Sequence, residues 1–153
     1  MRDNPPPNDP LGFVYMAQAI DLAKNQMLSA SAVASAYQLP VFNPAGAWDT
    51  TGLTPFADLQ KANYRILYQA SRVVAGLDPR TLSLGTVGEI SFAAKRGIPI
   101  QIVVPSPEDV GRFDRASWSL AYLRNAGVSS PSTIDVAYMP ELMNPKWQRG
   151  PAE

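Results

Sequence analysis

The feature that most narrows what this chain can fold into is an alternation. Short apolar, β-branched runs are separated by stretches whose apolar residues recur in steps of three and four. The runs are "LGFVYMA" (11–17), "LPVFNPAGAW" (39–48), "SRVVAGL" (71–77), "IPIQIVV" (98–104) and "TIDVAYM" (133–139). The second breaks into a Pro/Gly loop that displays Trp48, and the last alternates in the manner of an edge strand. Between the runs, Ala23, Met27, Ala30, Ala34 and Tyr37 follow Ile20 along one helix face. A second helix is expected from Thr54-Pro55, a cap followed by a first-turn proline, with the stripe Phe56, Leu59, Asn63, Ile66 or Leu67, and Ala70. A turn over 78–88 leads into a third helix, and a fourth covers about 107–125. Strands alternating with helices predict an α/β domain: a parallel sheet of about five strands with helices on both faces. Ligands of such sheets bind beyond the carboxyl ends of the strands, which brings Tyr15, residues 43–48, Ser83 and Glu89 to one rim.

The chain's 153 residues suit a single domain. We place it at 11–140, between a leader at 1–10 with four prolines and a tail at 141–153. Thirteen basic residues balance thirteen acidic ones without a basic stripe, which argues against a nucleic-acid polymer as partner. No apolar run reaches the length of a membrane span and the N-terminus has no signal-peptide core, so the expected location is the cytoplasm, away from membranes. Cysteine and histidine are both absent. That removes thiolate nucleophiles, zinc–thiolate sites, Ser-His-Asp triads and imidazole-bound metals. Catalysis in this chain has to run on carboxylates, Tyr, Lys, Ser or Thr.

The segment "SLGTVGEISFAAKRGIPI" (83–100) holds the carboxylate of most interest, Glu89. Two readings of it stand. Thr86-Val87-Gly88-Glu89 fits the capping box, in which Thr and Glu satisfy helix-start amides reciprocally, and a carboxylate in a first turn complements the helix dipole. Alternatively, Glu89 is a catalytic group. Gly85 and Gly88 do not decide between them. "GTVG" lacks the lysine of a P-loop and the three glycines of a dinucleotide fingerprint, and both residues fit a tight turn.

Taken with "VYMAQAID" (14–21) and "KANYRILYQASRVVAGL" (61–77), this segment resembles the nucleoside 2-deoxyribosyltransferase superfamily over about residues 12–105. The resemblance implies a flavodoxin-like fold, N-glycosidic bond cleavage or deoxyribosyl transfer on 2'-deoxynucleosides or their 5'-monophosphates, and no metal or organic cofactor. It also implies a homo-oligomer whose sites are shared between subunits. Glu89 corresponds to the nucleophile that traps an oxocarbenium-like state as a glycosyl ester. Tyr15 corresponds to the tyrosine that orients it, and Asn63 to a helix residue at the deoxyribose and base. Ser83, Gly85 and Thr86 line the substrate in this correspondence, and Phe42 and Trp48 are candidates to stack on a base, with core packing as their other use.

Three departures separate the chain from that pattern. Ser83 stands where transferases carry Asp, as in the branch that hydrolyses deoxynucleoside 5'-monophosphates; its other reading is a turn or cap hydroxyl. Ala19 and Asp21 stand where that branch places Ser and Arg, and an aspartate there repels a phosphate by ~1 kcal/mol or more. Asn63 replaces the aspartate that aids proton transfer to the leaving base. It can hydrogen-bond but cannot act as an acid, and its other reading is a buried amide bonded to backbone. Ser83 supports a phosphate and Asp21 opposes one, which leaves nucleoside and nucleotide both open. A nucleotide-binding protein of the same fold, weak or inactive in catalysis, is the alternative that Asn63 and Asp21 favour.

Overall fold

A computed structural model describes residues 12–18, 26–44, 56–80, 83–115 and 134–147. Strand β1 (Val14–Ala17) is followed by helix α1 (Ala30–Tyr37), β2 (Val41–Phe42), α2 (Phe56–Leu67) and β3 (Arg72–Gly76). Next come α3 (Leu84–Lys95), β4 (Ile100–Val104), α4 (Pro107–Arg115), β5 (Ile134–Tyr138) and a 3-10 turn at Pro140–Leu142. The five strands form one sheet in the order β2-β1-β3-β4-β5, every neighbouring pair parallel, which is the flavodoxin-like order. The alternation in the sequence is therefore realised as an α/β fold. Register is tight: Tyr15 stands between Phe42 on β2 and Val73 on β3.

Burial follows the hydropathy pattern strand by strand. β1 and β4 are buried at every position and β3 at all but Arg72, whereas β5, at the sheet edge, is only partly covered. Period-two geometry divides the core in two. Tyr15, Ala17, Val73, Ala75 and Ile102 face Leu67 of α2 and Val87, Ile90 and Ala93 of α3. Val14, Met16, Val74 and Val103 face Val33 of α1, with Met27, Leu28 and Leu142. Helices thus cover both faces. The chain leaves β1 and β2 toward opposite faces, so the sheet's switch point falls between β1 and β3, at whose carboxyl ends a crevice is expected.

Several boundaries differ from the sequence reading. The first helix, expected from Ile20, begins at Ala30 because Ser29 caps it, its hydroxyl accepting from the Ala32 amide at 3.2 Å. Met27 and Leu28 precede it in extended chain, buried, with Leu28 donating its N–H to Gln18 Oε1 at 2.9 Å. The third helix begins at Leu84, so Gly85 and Gly88 lie inside it and not in the turn before it. It ends in a Schellman motif: Gly97 (φ +74) and Ile98 return N–H bonds to Ala94 and Ala93, a backbone path that needs glycine. The expected tail from 141 is packed as far as Trp147. Leu142 is fully buried, Trp147 rests on the α1-side core, and the Asn144 amide donates to Met27 O at 2.6 Å. Ile20, Ala23 and Thr54-Pro55 lie outside the described residues.

At the end of β3, Gly76 makes room for the stretch before α1. A Cβ there would meet Leu28 Cγ at 3.0 Å and Met27 Cε at 3.2 Å. Gly76→Ala is expected to cost about 1–3 kcal/mol, because Leu28 is itself walled in. Urea denaturation at constant slope checks this, and a midpoint equal to wild type would show that the stretch is free to give way.

Candidate active site

Helix α3 is started by Ser83, not by Thr86. The Ser83 hydroxyl accepts from the Thr86 amide at 3.4 Å and donates to Thr86 Oγ1 at 2.9 Å, while Ser83 O takes the Val87 amide at 3.0 Å. Thr86 is the third helical residue and buried; Glu89 is the sixth, in the second turn. The capping-box reading of Thr86 and Glu89 is therefore overturned. No helix-start amide remains for Glu89 to satisfy at that position. The cap reading of Ser83 is the one realised.

Glu89 reaches toward the sheet instead. Its Oε2 accepts a hydrogen bond from the hydroxyl of Tyr15, which β1 presents from its α2/α3 face with no exposure to solvent. Seventy-four residues separate the two in sequence, and only the β1–β3–α3 packing brings them together. Phe42 lies beside the Tyr15 ring, centroids 5.6 Å apart and planes tilted by 34°. Burial pushes the Glu89 carboxyl up from 4.5 to about 7, against the Tyr15 hydrogen bond, which lowers it. The same burial, followed by the charge and hydrogen bond of Glu89, pushes the Tyr15 phenol far above its ordinary value, so it stays a donor. Such a carboxyl exchanges its proton near neutrality while fixed through one oxygen, properties suited to a nucleophile or a proton carrier.

The other predicted residues fall into place unevenly. Asn63 is buried on α2, on the same side of the helix as Leu67, as its place on the apolar stripe predicts. Gly85 is exposed, and a side chain there would enter open space, so no close approach explains it. Gly88 does have such a reason, since a Cβ would come within 3.0 Å of the Tyr64 hydroxyl. Trp48, Ala19 and Asp21 lie outside the described residues.

Tyr64 is the residue that sequence reasoning missed. It sits one position beyond Asn63, off the predicted stripe, with its ring stacked on Phe92 of α3 at 4.9 Å and 7°. Burial and then the Glu89 charge push its phenol upward. The only signal in the sequence was Gly88, a small residue in mid-helix facing whatever α2 presents. Among the described residues, no group of three or more His, Cys, Asp or Glu side chains could hold a metal, and no helix is long and apolar enough to cross a membrane.

No family model matches the chain, and no curated protein matches it. Among solved structures, a conserved protein from Enterococcus faecalis V583 is similar, with a TM-score of 0.52 and 16% identity over 85% of this chain and 92% of that one. At that identity the likeness carries the α/β fold alone.

Two stability outcomes follow. Glu89 holds its proton more tightly folded (about 7) than unfolded (about 4.5), so folding stability falls as pH rises from 4.5 through 7. Glu89→Gln keeps an acceptor for Tyr15 and removes that loss. It should match wild type below pH 4.5 and exceed it by roughly 1–3 kcal/mol at pH 8, measured by urea denaturation across pH. A glutamate that capped a helix would give the opposite sign at pH 8. Ser83→Ala, which removes the actual cap, should cost about 1 kcal/mol with little pH dependence.

Proposed function

We propose that this protein cleaves the N-glycosidic bond of 2'-deoxynucleosides or their 5'-monophosphates, or transfers the deoxyribosyl group to a second base. Glu89 is the nucleophile and Tyr15 the residue that holds it. The observation that carries this reading is the Tyr15–Glu89 hydrogen bond: a desolvated carboxylate, free of capping duty and tied through one oxygen to an interior strand. Its other oxygen attacks C1' as the bond to the base breaks through an oxocarbenium-like state, forming a glycosyl ester. Water then hydrolyses the ester, or an incoming base captures the sugar. The correspondence of residues 12–105 to the nucleoside 2-deoxyribosyltransferase pattern supports the same assignment. With it come a cytoplasmic homo-oligomer, shared active sites and no cofactor.

Both hydrogen-bonding roles of the Ser83 hydroxyl are taken up by Thr86. A phosphate at this helix start would have to displace a bond already made, which favours nucleosides over 5'-monophosphates. The second reading, a nucleotide-binding protein without turnover, is favoured by Asn63, which is buried where an acid would serve and cannot donate a proton as one.

Chromatography of deoxynucleosides and their 5'-monophosphates, with and without an acceptor base, separates these readings. Wild type is expected to release or exchange base, and Glu89→Ala to lose that activity while remaining folded. The attacking form is the carboxylate, so kcat/KM should rise with pH to a plateau through an apparent pKa near 7. Ligand binding without base release by either protein would establish the binding protein instead.

A further inference from the structure

The Tyr64 phenol has no task in the chemistry above, yet packing holds it at the nucleophile. Its ring lies flat on Phe92, and its hydroxyl stands over Gly88, the residue before Glu89, close enough that a Cβ at Gly88 would come to 3.0 Å. Gln60, one turn earlier on α2, acts on that phenol in the sense that favours its ionised form, against the larger effect of burial. The proton of the phenol is then what it offers to a group lying against Glu89. Tyr15 cannot supply this proton, because its hydroxyl is committed to Glu89 Oε2.

We propose that Tyr64 is the proton donor to the departing base, a catalytic residue delivered by α2 one position beyond Asn63. The assignment rests on the glycosidic cleavage proposed for Glu89 and deepens it. A carboxylate electron pair of Glu89 forms the bond to C1', and the C1'–N pair departs with the base. The Tyr64 proton passes to the base, leaving a phenolate that Gln60 favours. Water then gives its hydroxyl to C1' and its proton to the phenolate, which restores Glu89 and Tyr64 and balances the reaction. Burial keeps the phenol protonated at rest, and the Glu89 charge adds to that hold. Ester formation removes the charge, so the phenol becomes a stronger acid at the stage when the base needs a proton.

The test is a leaving-group comparison with wild type, Tyr64→Phe, Gln60→Leu and Glu89→Ala. It pairs 2'-deoxyguanosine with its 7-methyl derivative, and 2'-deoxyuridine with its 5-nitro derivative. The second member of each pair loses its base without help from an acid. Tyr64→Phe preserves the stack on Phe92 and is expected to lose roughly 10²-fold or more in kcat on the unactivated member. That loss should shrink at least ~10-fold on the activated one, with Gln60→Leu shifting the same way by less. Equal losses on both members, or none, overturn the assignment while Glu89→Ala inactivity leaves the cleavage reading standing. Wild type idle on all four substrates overturns the cleavage reading and the role of Tyr64 with it. Circular dichroism of each variant confirms that folded proteins are compared, and Gln60→Leu decides the matter if Tyr64→Phe does not fold.

Discussion

A carboxylate taken out of water must be paired, hydrogen-bonded or protonated, and Glu89 is the point at which this constraint organises the molecule. Its hydrogen bond to Tyr15 ties the interior strand β1 to helix α3 at their facing surfaces. For that bond to form, α3 must start early enough to bring its second turn over Tyr15. Ser83 sets that start, and residues 72–76 place the connection to it beside β1. Gly88 must be small so that α2 can bring Tyr64 against the same turn. The site is thus a consequence of where three elements cross, and each crossing is held by apolar packing.

The energetic character of the site is that of a strained functional group in a stable frame. Burial acts against the ionised form of Glu89, and one hydrogen bond offsets part of that cost. A residue serving stability alone at this position would be apolar or neutral, so the carboxylate lowers stability where the proposed function needs it, in line with the usual opposition between stability and activity. Aromatic pairs lie close by: Phe42 packs beside the Tyr15 ring, and Tyr64 stacks on Phe92, one turn beyond Glu89 on α3.

Much of the fold was legible because its signals are local and redundant. The buried runs of β1, β3 and β4 are mainly apolar stretches, and β5 at the edge alternates in sequence. Asn63 on the α2 stripe was legible by periodicity. Helix starts were less so. Ser83-x-x-Thr86 and Thr86-x-x-Glu89 both carry a hydroxyl followed by a polar partner, and only tertiary packing decides that the first is the cap. The first helix was overdrawn toward Ile20 because Met27 and Leu28 continue its spacing while being buried for another reason: they cover the ends of β1 and β3. Tyr64 was hinted at only by Gly88, since its place beside Glu89 depends on a contact between α2 and α3 that no spacing within either helix encodes.

Glu89 is a desolvated carboxyl held by Tyr15, and its titration reads that environment directly. Carbon-13 NMR of glutamate-labelled protein, with the Glu89 carboxyl assigned by Glu89→Gln, would follow that group in wild type and in Tyr15→Phe. A midpoint near 7 is expected in wild type, moving upward when the phenolic donor is removed. A midpoint near 4.5, unmoved by Tyr15→Phe, would contradict it and return Glu89 to the status of an ordinary helix carboxylate.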